Sequence, residues 1–275
     1  MEFSPGLRGV VAGETSISTV GKEGTSLRYR GYDATDLTKN NTYEQVASLI
    51  IADSLNDKDF KKSFAKYYLE ISKDQKINDL LSEIKQTLHP MDVIRTVVSY
   101  KGELTTLRKQ QLDKEDKTEL SARINATVCY IIASYHEESC DELDSQYLVA
   151  SSLLPNSSSK DQLEALDDML ILYAEHGFNA STFATRVTAS TRADLTGAIV
   201  SGIATLKGEL HGGANERAVE LINSFDSVEE AIDGVKQLLE NKKKIMGFGH
   251  GAVSYTHLRA HETVLDIVCR LLLEK

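Results

Sequence analysis

Two of the seven histidines stand in the same unusual surroundings. His211 lies in Gly208-Glu209-Leu210-His211-Gly212-Gly213-Ala214-Asn215, and His250 in Gly247-Phe248-Gly249-His250-Gly251. Both stretches read as glycine-rich turns at helix boundaries, where backbone approaches a ligand closely and a side chain is aimed into a cleft. A histidine beside a helix N-terminus tends to stay neutral, which suits it to donate a hydrogen bond to a carbonyl oxygen. His176 occupies a third such place, ending an expected helix just before Gly177-Phe178-Asn179-Ala180-Ser181-Thr182. Against this, a lone histidine in a turn is more often a surface or capping residue than a catalyst. The long gaps between His176, His211 and His250 match no short-range zinc signature, so no metal site is expected. Gly247-x-Gly249 is too short for a dinucleotide fingerprint and follows a lysine-rich helix end, not a strand. Residue types and spacing alone leave an enzyme and a non-enzyme equally open.

The elements that would position these residues are mostly helical. The chain has 275 residues, 41% hydrophobic and 26% charged, a globular balance that excludes general disorder. Only three prolines occur, Pro5, Pro90 and Pro155, which favours helices over a turn-rich β fold. A formal charge of −10 argues against a general nucleic-acid binder, while leaving room for a basic patch that holds a phosphorylated ligand. Cys129, Cys140 and Cys269 are too few and too scattered for a disulfide framework or a thiolate metal site. No apolar run reaches the roughly 20 residues needed to span a bilayer, and the amino terminus lacks the pattern of a secretory signal. A soluble, cytoplasmic protein is expected.

Thr15–Val20 and Leu27–Arg30 alternate around the turn Gly21-Lys22-Glu23-Gly24, with Gly31 as a stop, so a short β-hairpin is expected there. Thr42-Tyr43-Glu44-Gln45 is a capping-box pattern that opens the first helix. Further helices are expected near 57–72, 76–87, 91–100, 117–137, 160–176 and 192–207, the last stopped by Gly208. Ser227-Val228-Glu229-Glu230 opens another, whose buried face should hold Val228, Ala231, Ile232, Val235, Leu238 and Leu239. No repeat of 20–50 residues is evident.

Six motifs carry a resemblance. They are Gly9-Val10-Val11-Ala12-Gly13-Glu14-Thr15, Leu27-Arg28-Tyr29-Arg30-Gly31-Tyr32-Asp33 and His89-Pro90-Met91-Asp92-Val93, followed by three more. Those are Ala174-Glu175-His176-Gly177-Phe178-Asn179-Ala180-Ser181-Thr182-Phe183, Leu210-His211-Gly212-Gly213-Ala214-Asn215-Glu216 and Ile245-Met246-Gly247-Phe248-Gly249-His250. In this order the chain resembles the citrate synthase family, specifically bacterial-type citrate and 2-methylcitrate synthases, from Gly6 to His250. The resemblance implies an all-α fold with a large helical domain and a smaller one that closes over the substrates. It also implies a homodimer that condenses an acyl-CoA with a 2-oxo acid. No cofactor is expected beyond the CoA thioester substrate, and charge and composition point to no membrane or nucleic-acid partner.

Carried residue by residue, the resemblance makes His211 the donor to the thioester carbonyl as it becomes an enol. His250 would polarise the oxaloacetate carbonyl and protonate the new alkoxide. His176 and Asn179 would help hold the oxo acid, together with His211 and His250. Ile245, Met246, Gly247 and Gly249 would form the loop whose backbone recognises CoA. Beyond His250 the chain departs from the family. Gly251-Ala252-Val253-Ser254-Tyr255-Thr256-His257-Leu258-Arg259 lacks the expected Asp-Pro-Arg motif, the aspartate base and the further substrate-binding arginines. The expected organisation is therefore a large domain over 1–211, the start of a small domain over 212–250, and a non-family tail over 251–275. Two readings follow: a citrate-synthase-type acyltransferase whose present chain is silent and poorly soluble for want of its C-terminal region, or a non-catalytic helical protein keeping only binding or dimerisation surfaces. On the first, His176, His211 and His250 should converge on one cleft.

Overall fold

The structure is a computed structural model that describes residues 13–19, 26–102, 114–136, 143, 145–209, 211–243 and 245. It opens with a small antiparallel sheet of β1 (Ser18–Thr19), β2 (Arg28–Tyr29) and β3 (Tyr32–Asp33), ordered β1-β2-β3. Tyr29 pairs with Tyr32, so Arg30 and Gly31 alone make the turn, at φ 49° and 91°. Positive φ at both central residues is the geometry of a type I′ turn, whose twist matches that of paired strands. Gly31 therefore starts a third strand where the sequence suggested a stop. The expected turn at Gly21–Gly24 lies outside the described residues.

Helices follow: α1 (Ala34–Asn40), α2 (Tyr43–Ala52), α3 (Lys58–Ser72), α4 (Gln75–Ile84), α5 (Pro90–Lys101) and α6 (Lys114–Ala133). Then come α7 (Leu148–Leu153), α8 (Lys160–Leu172), α9 (Ala180–Ser190), α10 (Leu195–Leu206), α11 (Gly213–Asn223) and α12 (Val228–Glu240). The fold is all-α, as expected, and among the described residues no helix is long and apolar enough to cross a membrane. Phe60, Phe64 and Tyr68 recur every fourth residue on α3 and stack in sequence, with ring centroids 6.4 and 5.9 Å apart. Tyr68 then meets Tyr130 of α6 edge-on at 5.6 Å, the geometry that aromatic quadrupoles favour. Side chains at that spacing share one helix face, which is why α3 lies along α6. α9 packs on α10, and α10 on α5.

One expectation fails at α12. None of its residues is buried, and Val228 keeps 71% and Leu239 61% of its surface open. Val228, Ala231, Ile232, Val235, Leu238 and Leu239 recur at helical period, but the expected burial of that stripe is absent. Periodicity says which face is apolar, but it does not supply the neighbour that covers it.

Two buried carboxyls join the helices at their ends. Glu44 on α2 accepts the Val149 N–H of α7 at 2.7 Å, and both oxygens of Asp167 on α8 lie 3.1 Å from the Tyr43 N–H that opens α2. Gln45 completes that end by accepting the Thr42 N–H at 3.0 Å. Each carboxyl thus satisfies a helix-end donor that has no partner within its own helix. Burial, reinforced by the neighbouring charge of Glu44, pushes the Asp167 carboxyl up to about 8 from 3.8. A carboxyl raised in the folded state contributes fully below its unfolded value, near 3.8, and its contribution is lost as pH rises through the folded value near 8. Denaturant midpoints should therefore fall between about pH 5 and about pH 8, and Asp167→Asn, which still accepts from Tyr43, should flatten that fall. An unchanged pH slope in the variant would contradict the assignment.

Candidate functional site

The sheet grips the C-terminal end of α8. The Tyr29 side chain is fully buried, and its hydroxyl donates to the carbonyls of Ile171 and Leu172 at 2.9 and 3.0 Å. These are among the last carbonyls of α8, which have no partner inside the helix, so a strand residue serves as their cap. The chain then passes through Glu175 and His176 and turns at Gly177, with φ 75°. Asn179 closes the turn by accepting the Thr182 N–H at 2.9 Å, the N-cap that starts α9. Ser181, in the first turn of α9, is 1% exposed.

His211 arrives from the other side, on the turn that follows α10. Its Nε2 lies 2.6 Å from Ser181 Oγ. Four backbone bonds tie this turn down. Gly208 N–H donates to Thr205, His211 N–H to Gly208, Gly212 N–H to Leu206 and Gly213 N–H to Gly208, at 2.9 to 3.1 Å. Gly212 is needed for space rather than for conformation. A Cβ there would come within 2.5 Å of the Leu206 carbonyl oxygen and 3.0 Å of Leu206 Cδ1. The glycine beside the histidine thus has a mechanical reason: it lets α11 begin directly on the end of α10.

The start of α5 locks the same junction from below. His89 caps α5, its Nδ1 accepting the Met91 N–H at 3.2 Å. An Nδ1 that accepts leaves the proton on Nε2 in the neutral ring, and Nε2 faces Glu216 of α11 at 3.2 Å. Asp92, three residues on, takes Lys207 at 2.5 Å and Arg95 at 2.9 Å. The Lys207 ammonium, with Arg95 behind it, holds the Asp92 carboxyl below the usual carboxylate range. An ion pair joins the start of α5 to the end of α10, and a hydrogen bond joins it to the start of α11, around the histidine turn.

Of the residues expected in a site, Asn179 and His211 are brought to one place through Ser181, and His176 leads into that same turn. Ile245 is half-buried and lies in no helix. His250, Met246, Gly247 and Gly249 lie outside the described residues. Among the described residues no group of three His, Cys, Asp or Glu side chains is placed to hold a metal ion. Cys129 is buried, which pushes its thiol up to about 12 and removes it as a nucleophile. Sequence reasoning missed Ser181, Glu175 and the His89–Glu216 pair as site residues. Ser181 and Glu175 sit inside a quoted motif, but their partners lie far away in the chain.

The family profile described as "Citrate synthase, C-terminal domain" matches residues 6–274. A 2-methylcitrate synthase of Shewanella oneidensis is 39% identical over 256 residues, which cover 89% of this chain and 67% of that relative. A citrate synthase of Mycolicibacterium smegmatis is 35% identical over 253 residues, with 89% and 67% covered. Among solved structures, the citrate synthase of Thermotoga maritima matches with TM-score 0.72 and 28% identity over 90% of this chain and 68% of that one. A ternary complex of carboxymethyl coenzyme A and oxaloacetate with the Thermoplasma acidophilum citrate synthase matches with TM-score 0.74 and 27% identity, over 90% of this chain and 68% of that one. The chain belongs to the citrate synthase family.

Gly212→Ala should force the α10–α11 junction apart and cost about 1–3 kcal/mol, the usual penalty for overpacking. Thermal unfolding followed by circular dichroism checks this, and a midpoint equal to wild type would contradict the close approach.

Proposed function

We propose that the chain carries the substrate-binding face of an acyltransferase that condenses a short-chain acyl-CoA with oxaloacetate. The products are citrate from acetyl-CoA, or 2-methylcitrate from propionyl-CoA, with CoA released. One observation carries the reading: His211 is held at 2.6 Å by the buried Ser181 hydroxyl, on a glycine turn at the start of α11. If Ser181 donates to Nε2, the neutral ring keeps its proton on Nδ1. Nδ1–H is then the donor for the thioester oxygen as the adjacent carbon loses its proton and the oxygen gains negative charge. A helix N-terminus beside the ring favours the neutral form over imidazolium.

His176 and Asn179 are assigned to the oxo acid, with His250 as the donor to its ketone and then to the alkoxide formed when the carbon–carbon bond closes. Ile245, Met246, Gly247 and Gly249 are assigned to the CoA adenine. The start of α9 is suited to a dicarboxylate, because a helix N-terminus attracts anions. Residues 1–211 are assigned to the large domain, with α11 and α12 opening the small one. The aspartate base has no assigned counterpart in this sequence, so the 275-residue chain alone is expected to bind without turning over. In the cytoplasm, the proposed active form is a homodimer. Acetyl-CoA and propionyl-CoA differ by one methylene, worth about 1–3 kcal/mol in a pocket, and both belong in the assay.

Thiol release from either thioester in the presence of oxaloacetate tests the reading. The chain as it stands should release none, and a chain extended with a family C-terminal region should turn over. In the extended enzyme His211→Ala should lower kcat by about 10²–10⁴, the range for a lost proton-transfer or oxyanion group. An extended enzyme that is inactive, or indifferent to the loss of His211, would overturn the assignment.

A further inference from the structure

We infer that Glu175 is a positioning residue for the oxo-acid site, clamping the turn that carries His176 onto strand β1. The inference rests on the reading of His176 as an oxo-acid ligand and goes beyond it by naming what holds that histidine in place. Glu175 is 3% exposed, an unusual place for a carboxylate, which is costly to bury unless donors surround it. Its Oε1 accepts the Gly177 N–H at 2.6 Å and the Ser18 hydroxyl of β1 at 3.0 Å. The first bond runs from residue 175 to residue 177 and closes a small ring around His176, whose backbone is thereby fixed on both sides. That ring includes Gly177 at φ 75°, a conformation a glycine takes without strain and which the carboxylate holds.

The second bond reaches across 157 residues of sequence to β1. Together with Tyr29 of β2, which caps the end of α8, it attaches the sheet at two points to the segment that leads into His176. Local turn chemistry does not explain this second attachment. A turn closed only by Asn179 and Gly177 would be complete without Ser18, and a carboxylate in the interior costs more than an amide would. What the long-range bond adds is a fixed relation between the His176 backbone and the rest of the domain.

The experiment uses the 275-residue chain, with oxaloacetate affinity measured by calorimetry and histidine ring resonances recorded by NMR. His176→Ala identifies the His176 resonance by its disappearance and controls for the underlying reading. Glu175→Ala should weaken oxaloacetate binding about tenfold, the scale of one lost charge-assisted hydrogen bond, at temperatures where circular dichroism remains native. It should also shift or broaden the His176 ring signal. Glu175→Gln keeps an oxygen that accepts from both donors, and should restore affinity and signal. If Glu175→Ala does not fold, Ser18→Ala removes the long-range donor and should weaken binding in the same direction.

A folded Glu175→Ala, or Ser18→Ala in its place, with wild-type affinity and an unmoved His176 signal overturns the inference, even if its melting temperature falls. No oxaloacetate binding by wild type, or undiminished binding by His176→Ala, overturns the underlying reading instead. In that case the ring signal of Glu175→Ala still decides the clamp.

Discussion

The site depends on how closely two helix ends are brought together. α11 begins on the last turn of α10 with only a short turn between them, and that turn must fit where the Leu206 carbonyl already stands. Gly212 makes the fit by having no side chain, and the backbone bonds from Gly208 to Gly213 hold it. His211 is then presented at a fixed point, where Ser181 of α9 reaches it. A histidine on a longer or looser turn would sample many directions, and ordering it at the moment of binding would cost conformational entropy. Here that ordering is already made by backbone geometry.

Around this junction the helices are fastened by end groups more than by their sides. Asp167 accepts the N–H at the start of α2, Glu44 does the same for α7, and the Tyr29 hydroxyl donates to the end of α8. His89 and Asp92 fasten α5 to α11 and to the end of α10. Most of these bonds join residues far apart in sequence, so helix ends that would otherwise be solvated are fixed to one another across the domain. The aromatic ladder of α3 packs against α6 within a mostly aliphatic interior, and the polar ends help fix where helices stop and start. Glu175 follows the same pattern beside His176.

Much of the framework was legible in the sequence, for physical reasons that also mark where legibility ends. α2 announces itself by its capping box, and α3, α5 and α8 by helical periodicity, and the structure places them within a few residues of the expected bounds. α9 did not. Ala180–Ser190 is rich in hydroxyl and β-branched residues, with Ser181 and Thr182 its only buried positions, so its helical state comes from the Asn179 cap and from packing on α10. α1 and α7 are too short to show a period, and β3 hid behind a glycine that turns the chain rather than stopping it. The site was legible in its motifs, since the histidine turns stand out by composition. Its wiring was not, because Ser181 with His211 and Ser18 with Glu175 are pairings made by the fold. The open face of α12 is the converse case, an apolar stripe whose pattern is clear and whose burial does not follow from it.

The protonation of His211 is the most direct test, because the donor role requires one tautomer. With Ser181 donating to Nε2, a nitrogen-15 correlation spectrum of the His211 ring near pH 7 should show a neutral imidazole with its proton on Nδ1. Ser181→Ala should release that preference and let the ring relax toward the Nε2–H form that is common in solution. A wild-type ring that is imidazolium near pH 7, or that carries its proton on Nε2 with Ser181 intact, would contradict the role assigned to His211.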